Sequence, residues 1–132
     1  MYQYQAEIVK VVDGDTCELD IDLGMSVWVR GERVRLYGVD TPEVYGVKKD
    51  SEEYMKGKLA SDFVKSLIKK GDLAIVETLK DSKGKYGRYL AVVYIRISSD
   101  ILDGLTNIRA VGDFYCLNDV LIAKGFAQPY FL

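Results

Sequence analysis

Apolar and polar residues alternate along the first third of the chain. Residues 7–12 and 16–23 are β-rich runs, and in the second Cys17, Leu19, Ile21 and Leu23 interleave with Glu18, Asp20 and Asp22. That period of two belongs to strands with one face buried. Asp13-Gly14-Asp15 between the runs is a turn signal, so they are read as a hairpin. A third run, 26–39, is rich in β-branched and aromatic residues but interrupted at Gly31-Glu32, where a bulge or tight turn is expected. Pro42 ends it, and 43–53 reads as a surface loop. The period then changes. Across 54–70, Met55, Leu59, Phe63 and Leu67 recur every four residues, with Ala60, Val64 and Ile68 beside them and Gly71 as a stop. This predicts an amphipathic helix. A short strand at 73–79, a polar loop at 80–87 and a strong strand at 89–97 follow. Residues 98–116 carry no decisive pattern, 117–124 predicts a short helix closed by Gly125, and 128–132 is a tail.

Five antiparallel strands with one long helix between the third and fourth, and a short C-terminal helix, is the order of an OB-fold. The expectation is therefore mainly β: a five-stranded Greek-key barrel occupying 1–132 as a single domain. The composition agrees with a globular chain, at 132 residues, 48% apolar, 29% charged and two prolines. No apolar run is long enough to span a bilayer. Tyr2-Gln3-Tyr4-Gln5 after Met1 is no signal peptide, so cytoplasmic residence is the default, although a trimmed secreted form would read the same. Monomer is the default state.

The chain has no histidine, which removes histidine-based triads and histidine-ligated zinc. Cys17 and Cys116 are too few for a four-thiolate site and are read as two free thiols. The net charge of −2 conceals an asymmetry. Residues 1–47 hold four cations against nine anions, and residues 48–88 hold eleven against seven. Much of the basic stretch fits a solvated helix face, but three clusters invite chemistry. Asp13-Gly14-Asp15-Thr16 puts two carboxylates at a hairpin end, where turn formation alone would explain them. Arg35 lies in a strand, with Asp40, Thr41, Pro42 and Glu43 just past its end. Lys83-Gly84-Lys85-Tyr86-Gly87-Arg88 is a basic, glycine-bearing loop with an aromatic.

Together the clusters resemble the staphylococcal nuclease-like (thermonuclease) family. Its signatures are a V-x-D-G-D-T hairpin, an R-x-x-x-x-D-T-P-E segment and a K-Y-G-R loop, all present in order. Leu117-Asn118-Asp119-Val120-Leu121 is similar to the family's later helix. The resemblance implies a calcium-dependent phosphodiesterase acting on DNA and RNA, preferring single strands, cleaving the 5′ P–O bond and leaving 3′-phosphates. It implies Asp15, Asp40 and the Thr41 carbonyl as Ca2+ ligands, a hard-cation donor set. Asp13 would orient waters on the ion. Glu43 would hold the attacking water, as general base or by positioning it. Arg35 and Arg88 would grip the phosphate. Lys85 and Tyr86 would meet a terminal phosphate and Tyr130 a base, while Lys48 and Lys49 are loop lysines that could approach the strand or simply be solvated. The alternative is a non-catalytic nucleic-acid-binding barrel, which would be expected to have lost some of these residues. A third reading, a protein-interaction barrel, would use 98–116. That segment is longer than the family's equivalent turn, and no counterpart of a further C-terminal helix is evident.

Overall fold

The computed structural model describes residues 2–83 and 89–130. Its first elements are strands β1 (Tyr2–Asp13), β2 (Thr16–Gly24), β3 (Val27–Leu36) and β4 (Gly38–Asp40). Helix α1 (Glu52–Leu67) follows, then β5 (Leu73–Lys83) and β6 (Tyr89–Ile95). The remainder is α2 (Ser99–Leu102), the short strands β7 (Ala110–Val111) and β8 (Phe114–Cys116), α3 (Leu117–Ala123) and β9 (Gln128–Tyr130). The hairpin expected around residue 14 is β1–β2, and its alternation buries Cys17, Leu19 and Ile21 on one face. The interruption at Gly31 is a bulge. Between the pairs Leu19↔Glu32 and Ile21↔Val29, Arg30 and Gly31 stand opposite Asp20 alone, and Gly31 takes φ +64°. The Gly31 amide donates to Asp20 Oδ1 at 2.8 Å, which holds the bulge in place.

The expected five-stranded antiparallel barrel is not what forms. The described residues build a seven-stranded sheet in the order β3-β2-β1-β5-β6-β8-β7 and a separate β4–β9 pair. The reason lies in β6, whose outer edge is shared. Residues 89–91 pair in parallel with β3 at Val34–Leu36, and Tyr94 and Ile95 pair with β8. The β3–β6 pairing is parallel, and the sheet runs on past it through β8 to an edge at β7, so a mixed seven-stranded sheet stands where a five-stranded antiparallel barrel was expected. The long helix stands where it was expected, between the runs 26–39 and 73–79, the first of which is divided into β3 and β4.

The same sharing explains the apolar run of β6, in which Ala91 to Ile95 are all buried. Ala91, Val93 and Ile95 join the main core with Ile8, Leu19, Val34, Val76 and Leu121. Val92 and Tyr94 face the other way, into a second cluster with Cys116, Tyr37, Val111 and Phe114. A strand covered on both faces needs no polar alternation. Part of the unreadable segment, the β7–β8 hairpin, supplies that cover.

Helix α1 starts at Ser51, whose hydroxyl accepts from the Tyr54 amide at 3.1 Å, with Glu52 and Glu53 in the first turn. Its buried residues are Gly57, Ala60, Ser61 and Val64. The four-residue stripe turns outward at its start, leaving Met55 and Leu59 about half exposed. Its end packs inward, where Phe63 stacks on Phe126 at 4.5 Å. The small side chains win that face because the helix sits almost against main chain. A Cβ on Gly57 would collide with the Pro42 carbonyl oxygen. No helix among the described residues is long and apolar enough to cross a membrane.

Candidate active site

The β1–β2 turn, the β3–β4 corner and the N-terminal half of α1 meet at one place. In the turn, Asp13 Oδ1 accepts from the Asp15 amide at 3.1 Å, an Asx turn that directs the Asp15 carboxylate inward. Asp15 is only 7% exposed. Its Oδ1 accepts from the Thr16 hydroxyl at 3.1 Å and its Oδ2 from the Thr41 amide at 3.4 Å. The Leu36 amide donates to the Asp15 carbonyl at 2.8 Å, pinning the turn to β3. Behind it, Gly14 leaves the space that Ala60 and Thr41 occupy, since an added Cβ would meet both at 3.0 Å. Gly57 does the same for the Pro42 and Glu43 carbonyls and the Val44 side chain. Two glycines thus let helix, turn and loop crowd together, and the loop emerging from that contact carries Glu43.

Arg35 sits on β3 opposite Thr16. Its Nη2 lies 3.6 Å from Asp15 Oδ2 and 3.4 Å from Asp40 Oδ1, and donates to the Val39 carbonyl at 3.3 Å. One guanidinium therefore stands between two carboxylates, Asp15 buried and Asp40 half exposed. Asp40 is held by β9, which pairs with β4 in the register Gly38↔Tyr130, Val39↔Pro129 and Asp40↔Gln128. This pairing sets the Tyr130 ring 5.6 Å from the Arg35 guanidinium carbon. The corner between β3 and β4 is anchored by the buried Asn118, which donates to the Tyr37 and Ala91 carbonyls at 2.9 and 3.1 Å and accepts from the Val93 amide. A cleft of about 670 Å³ opens beside Asp40, Thr41 and Pro42, bounded by Glu53 and Leu59 of α1 and by Phe126.

Burial pushes the Asp13 carboxyl up to about 7, and the hydrogen bond and charge of neighbouring Asp15 act in the same direction. Both cysteines are free, as expected, and burial raises each thiol to about 12, so neither is a nucleophile near neutrality.

Of the residues singled out from sequence, Asp13, Asp15, Arg35, Asp40, Thr41 and Tyr130 are brought together. Glu43 is exposed on the adjoining loop, and Lys48 and Lys49 are exposed further along it. Lys85, Tyr86 and Arg88 lie outside the described residues. Among the described residues no three carboxylates and thiols converge as a ready metal cage. The donors present are nevertheless all oxygen, two carboxylates with the Thr41 main chain beside them, which suits a hard cation. Sequence reasoning missed Gly57, Asn118 and Gln128. Only Gly57 carried a local signal, as a glycine inside a helical pattern that needs a packing reason.

A mixed sheet ending in an arginine gripped by two aspartates, at the corner where a short strand pair begins, defines the class. The chain belongs to the family described as staphylococcal nuclease homologue, whose model matches residues 33–132. It is 30% identical to the uncharacterized protein MJ1439 of Methanocaldococcus jannaschii, over 96% of this chain and 59% of that protein. It is 29% identical to endonuclease YhcR of Bacillus subtilis, over 98% of this chain and 9% of YhcR. Thermonuclease of Staphylococcus intermedius is 40% identical over 67% of this chain and 47% of its own length. The chain thus spans less than two thirds of each of these relatives.

Proposed function

We propose that this chain is a calcium-dependent nuclease that hydrolyses phosphodiester bonds of DNA and RNA, prefers single strands, and cleaves the 5′ P–O bond to leave 3′-phosphate ends. The observation that carries the reading is the convergence of Arg35 with Asp15 and Asp40 in a member of this family. Asp15, Asp40 and the Thr41 carbonyl are the groups that would hold calcium, with Asp13 orienting its waters, and the ion would supply positive charge beside the scissile phosphate.

The remaining work falls to side chains. Arg35 donates to phosphoryl oxygens as a planar, permanently charged fork, and Arg88 takes the second grip on the family motif. Charge grows on those oxygens as the nucleophile attacks, so fixed guanidinium donors favour the transition state over the ground state. Glu43, exposed on its loop, accepts the proton of the attacking water. Lys85 and Tyr86 meet the terminal phosphate, and Tyr130 offers an aromatic face to a base.

The test is hydrolysis of heat-denatured DNA by the purified chain with calcium, with a chelator, and with Glu43→Gln in parallel. Cleavage that needs calcium and falls about 10²- to 10⁴-fold in the variant is expected. A wild-type chain that binds the strand but cuts no faster than the variant overturns the enzyme and leaves a binding module.

A further inference from the structure

The outward face of β3 carries a feature the reaction above does not use. Without the bulge at Arg30-Gly31, Trp28 and Arg30 would fall on the side of Val34 and Leu36, inside the core. The bulge shifts their parity. Val29 pairs with the buried Ile21 and packs on the core, while Trp28 pairs with Asp22 and points away from it. Trp28, Arg30, Arg33 and Arg35 consequently share one face, the last of them in the candidate active site. From Trp28 to Arg35 this row extends about 20 Å.

The row is also held ready. The Arg30 guanidinium lies 4.6 Å over the Trp28 ring and its Nη1 is 3.1 Å from Asp20 Oδ2, and Arg33 Nε is 3.7 Å from Glu18. These carboxylates do not cover the cations. The Arg30 and Arg33 side chains are 63% and 52% exposed, whereas Asp20 and Glu18 are 20% exposed each. The acids sit low against β2 and prop the guanidiniums outward, with donors still free on each planar fork. Outward arginines beside a half-buried tryptophan, one face of whose ring lies under Arg30, are the chemistry that tracks a single strand, cations on phosphates and a ring for a base.

We propose that this face of β3 is a binding track for the single-stranded nucleic acid flanking the scissile phosphate, with Arg30 and Arg33 on successive phosphates and Trp28 stacking a base at its far end. The inference rests on the nuclease reading and extends it, because it makes cleavage depend on substrate length. At the roughly 3.4 Å axial spacing of phosphates in a B-form strand the row spans about six, and fewer when the strand is stretched. A dinucleotide reaches Arg35 but not Trp28.

The experiment compares wild type with Trp28→Ala, Trp28→Phe, Arg30→Gln and Arg33→Gln in calcium. It measures binding of a labelled oligonucleotide longer than the row, its salt dependence, and the ratio of kcat/KM on that strand to kcat/KM on a dinucleotide. Trp28→Ala is expected to weaken long-strand binding roughly five- to a hundredfold and to lower the ratio, with Trp28→Phe restoring most of both. Each Arg→Gln change is expected to flatten the slope of log affinity against log salt by about 0.7. Should Trp28→Ala unfold the ribbon, the exposed arginines carry the test alone. Unchanged affinity, slope and ratio in a wild type that cleaves overturn the track and leave the nuclease standing. Binding that depends on Trp28 and Arg30 without cleavage overturns the nuclease and leaves the track. A wild type that neither binds nor cuts overturns both.

Discussion

Arg35 is asked to serve three acceptors at once: Asp15, Asp40 and the Val39 carbonyl. All three contacts run through Nη2, and the rest of the planar fork is what lysine lacks for gripping a phosphoryl group, so Arg35→Lys is expected to lower kcat about 10²-fold or more while leaving the fold intact. Calcium affinity should hold in the same variant, because lysine keeps the positive charge between the two carboxylates. Calorimetric titration with calcium checks this, and a collapse of affinity would show that Arg35 organises the ligands by more than its charge. A second arginine pair gives a pH signature. Arg109 donates through Nε and Nη2 to both oxygens of Asp119 at 2.9 Å. Partial burial of Asp119 acts upward, but the Arg109 hydrogen bonds and charge outweigh it and hold the carboxyl below the usual carboxylate range. A depressed folded value adds stability above the ordinary carboxylate pKa near 4, and that stability is lost as pH falls through the depressed one. With Arg109 more than half exposed, the pair contributes about 1 kcal/mol. Denaturant titrations of Asp119→Asn from neutral pH downward should show a deficit of that size that disappears in acid.

At the level of elements, α1 is placed by volume more than by hydrophobicity. Alanine at position 57 favours a helix by roughly 1 kcal/mol, yet its Cβ would strike the Pro42 carbonyl. Gly57→Ala is therefore expected to destabilise by about 1–3 kcal/mol in spite of that gain, and to lower kcat as well by displacing the loop that bears Glu43. Thermal unfolding and single-turnover cleavage separate the two effects. This is also where local pattern reading stops. The β1–β2 hairpin was legible because alternation and Asp13-Gly14-Asp15 are neighbours in sequence. Arg35, Asp40 and Thr41 were legible because a motif records the ends of β3 and β4. The buried face of α1 was not, since spacing marks Met55 and Leu59 as core while the approach to Pro42 admits only small residues. Nor was the route of the sheet past β6. Its edge is divided between β3 and β8 by pairings between distant segments, which no local period encodes.

For the whole molecule, β6 joins two hydrophobic clusters and Asn118 ties them to the site. Its side chain satisfies three main-chain groups, from Tyr37, Ala91 and Val93. Asn118→Ala removes all three bonds and takes the Asn118 acceptor from the Val93 amide, while the Ala91 carbonyl still accepts from the Tyr37 amide at 2.8 Å; the change is expected to cost about 2 kcal/mol in denaturant unfolding. Asn118→Asp should cost at least as much, because an ionised carboxylate cannot donate to two carbonyls. The β4–β9 pair spans the chain in another sense. Asp13, Asp15, Arg35, Asp40 and Glu43 all precede Val44, but the strand that fixes Asp40 ends at Tyr130. A chain emerging from the ribosome therefore carries most of the candidate site residues long before it carries the clasp. Synthesis itself delays assembly of the site: these side chains leave the ribosome as a loose set and become a shaped centre once residues 128–130 have been made.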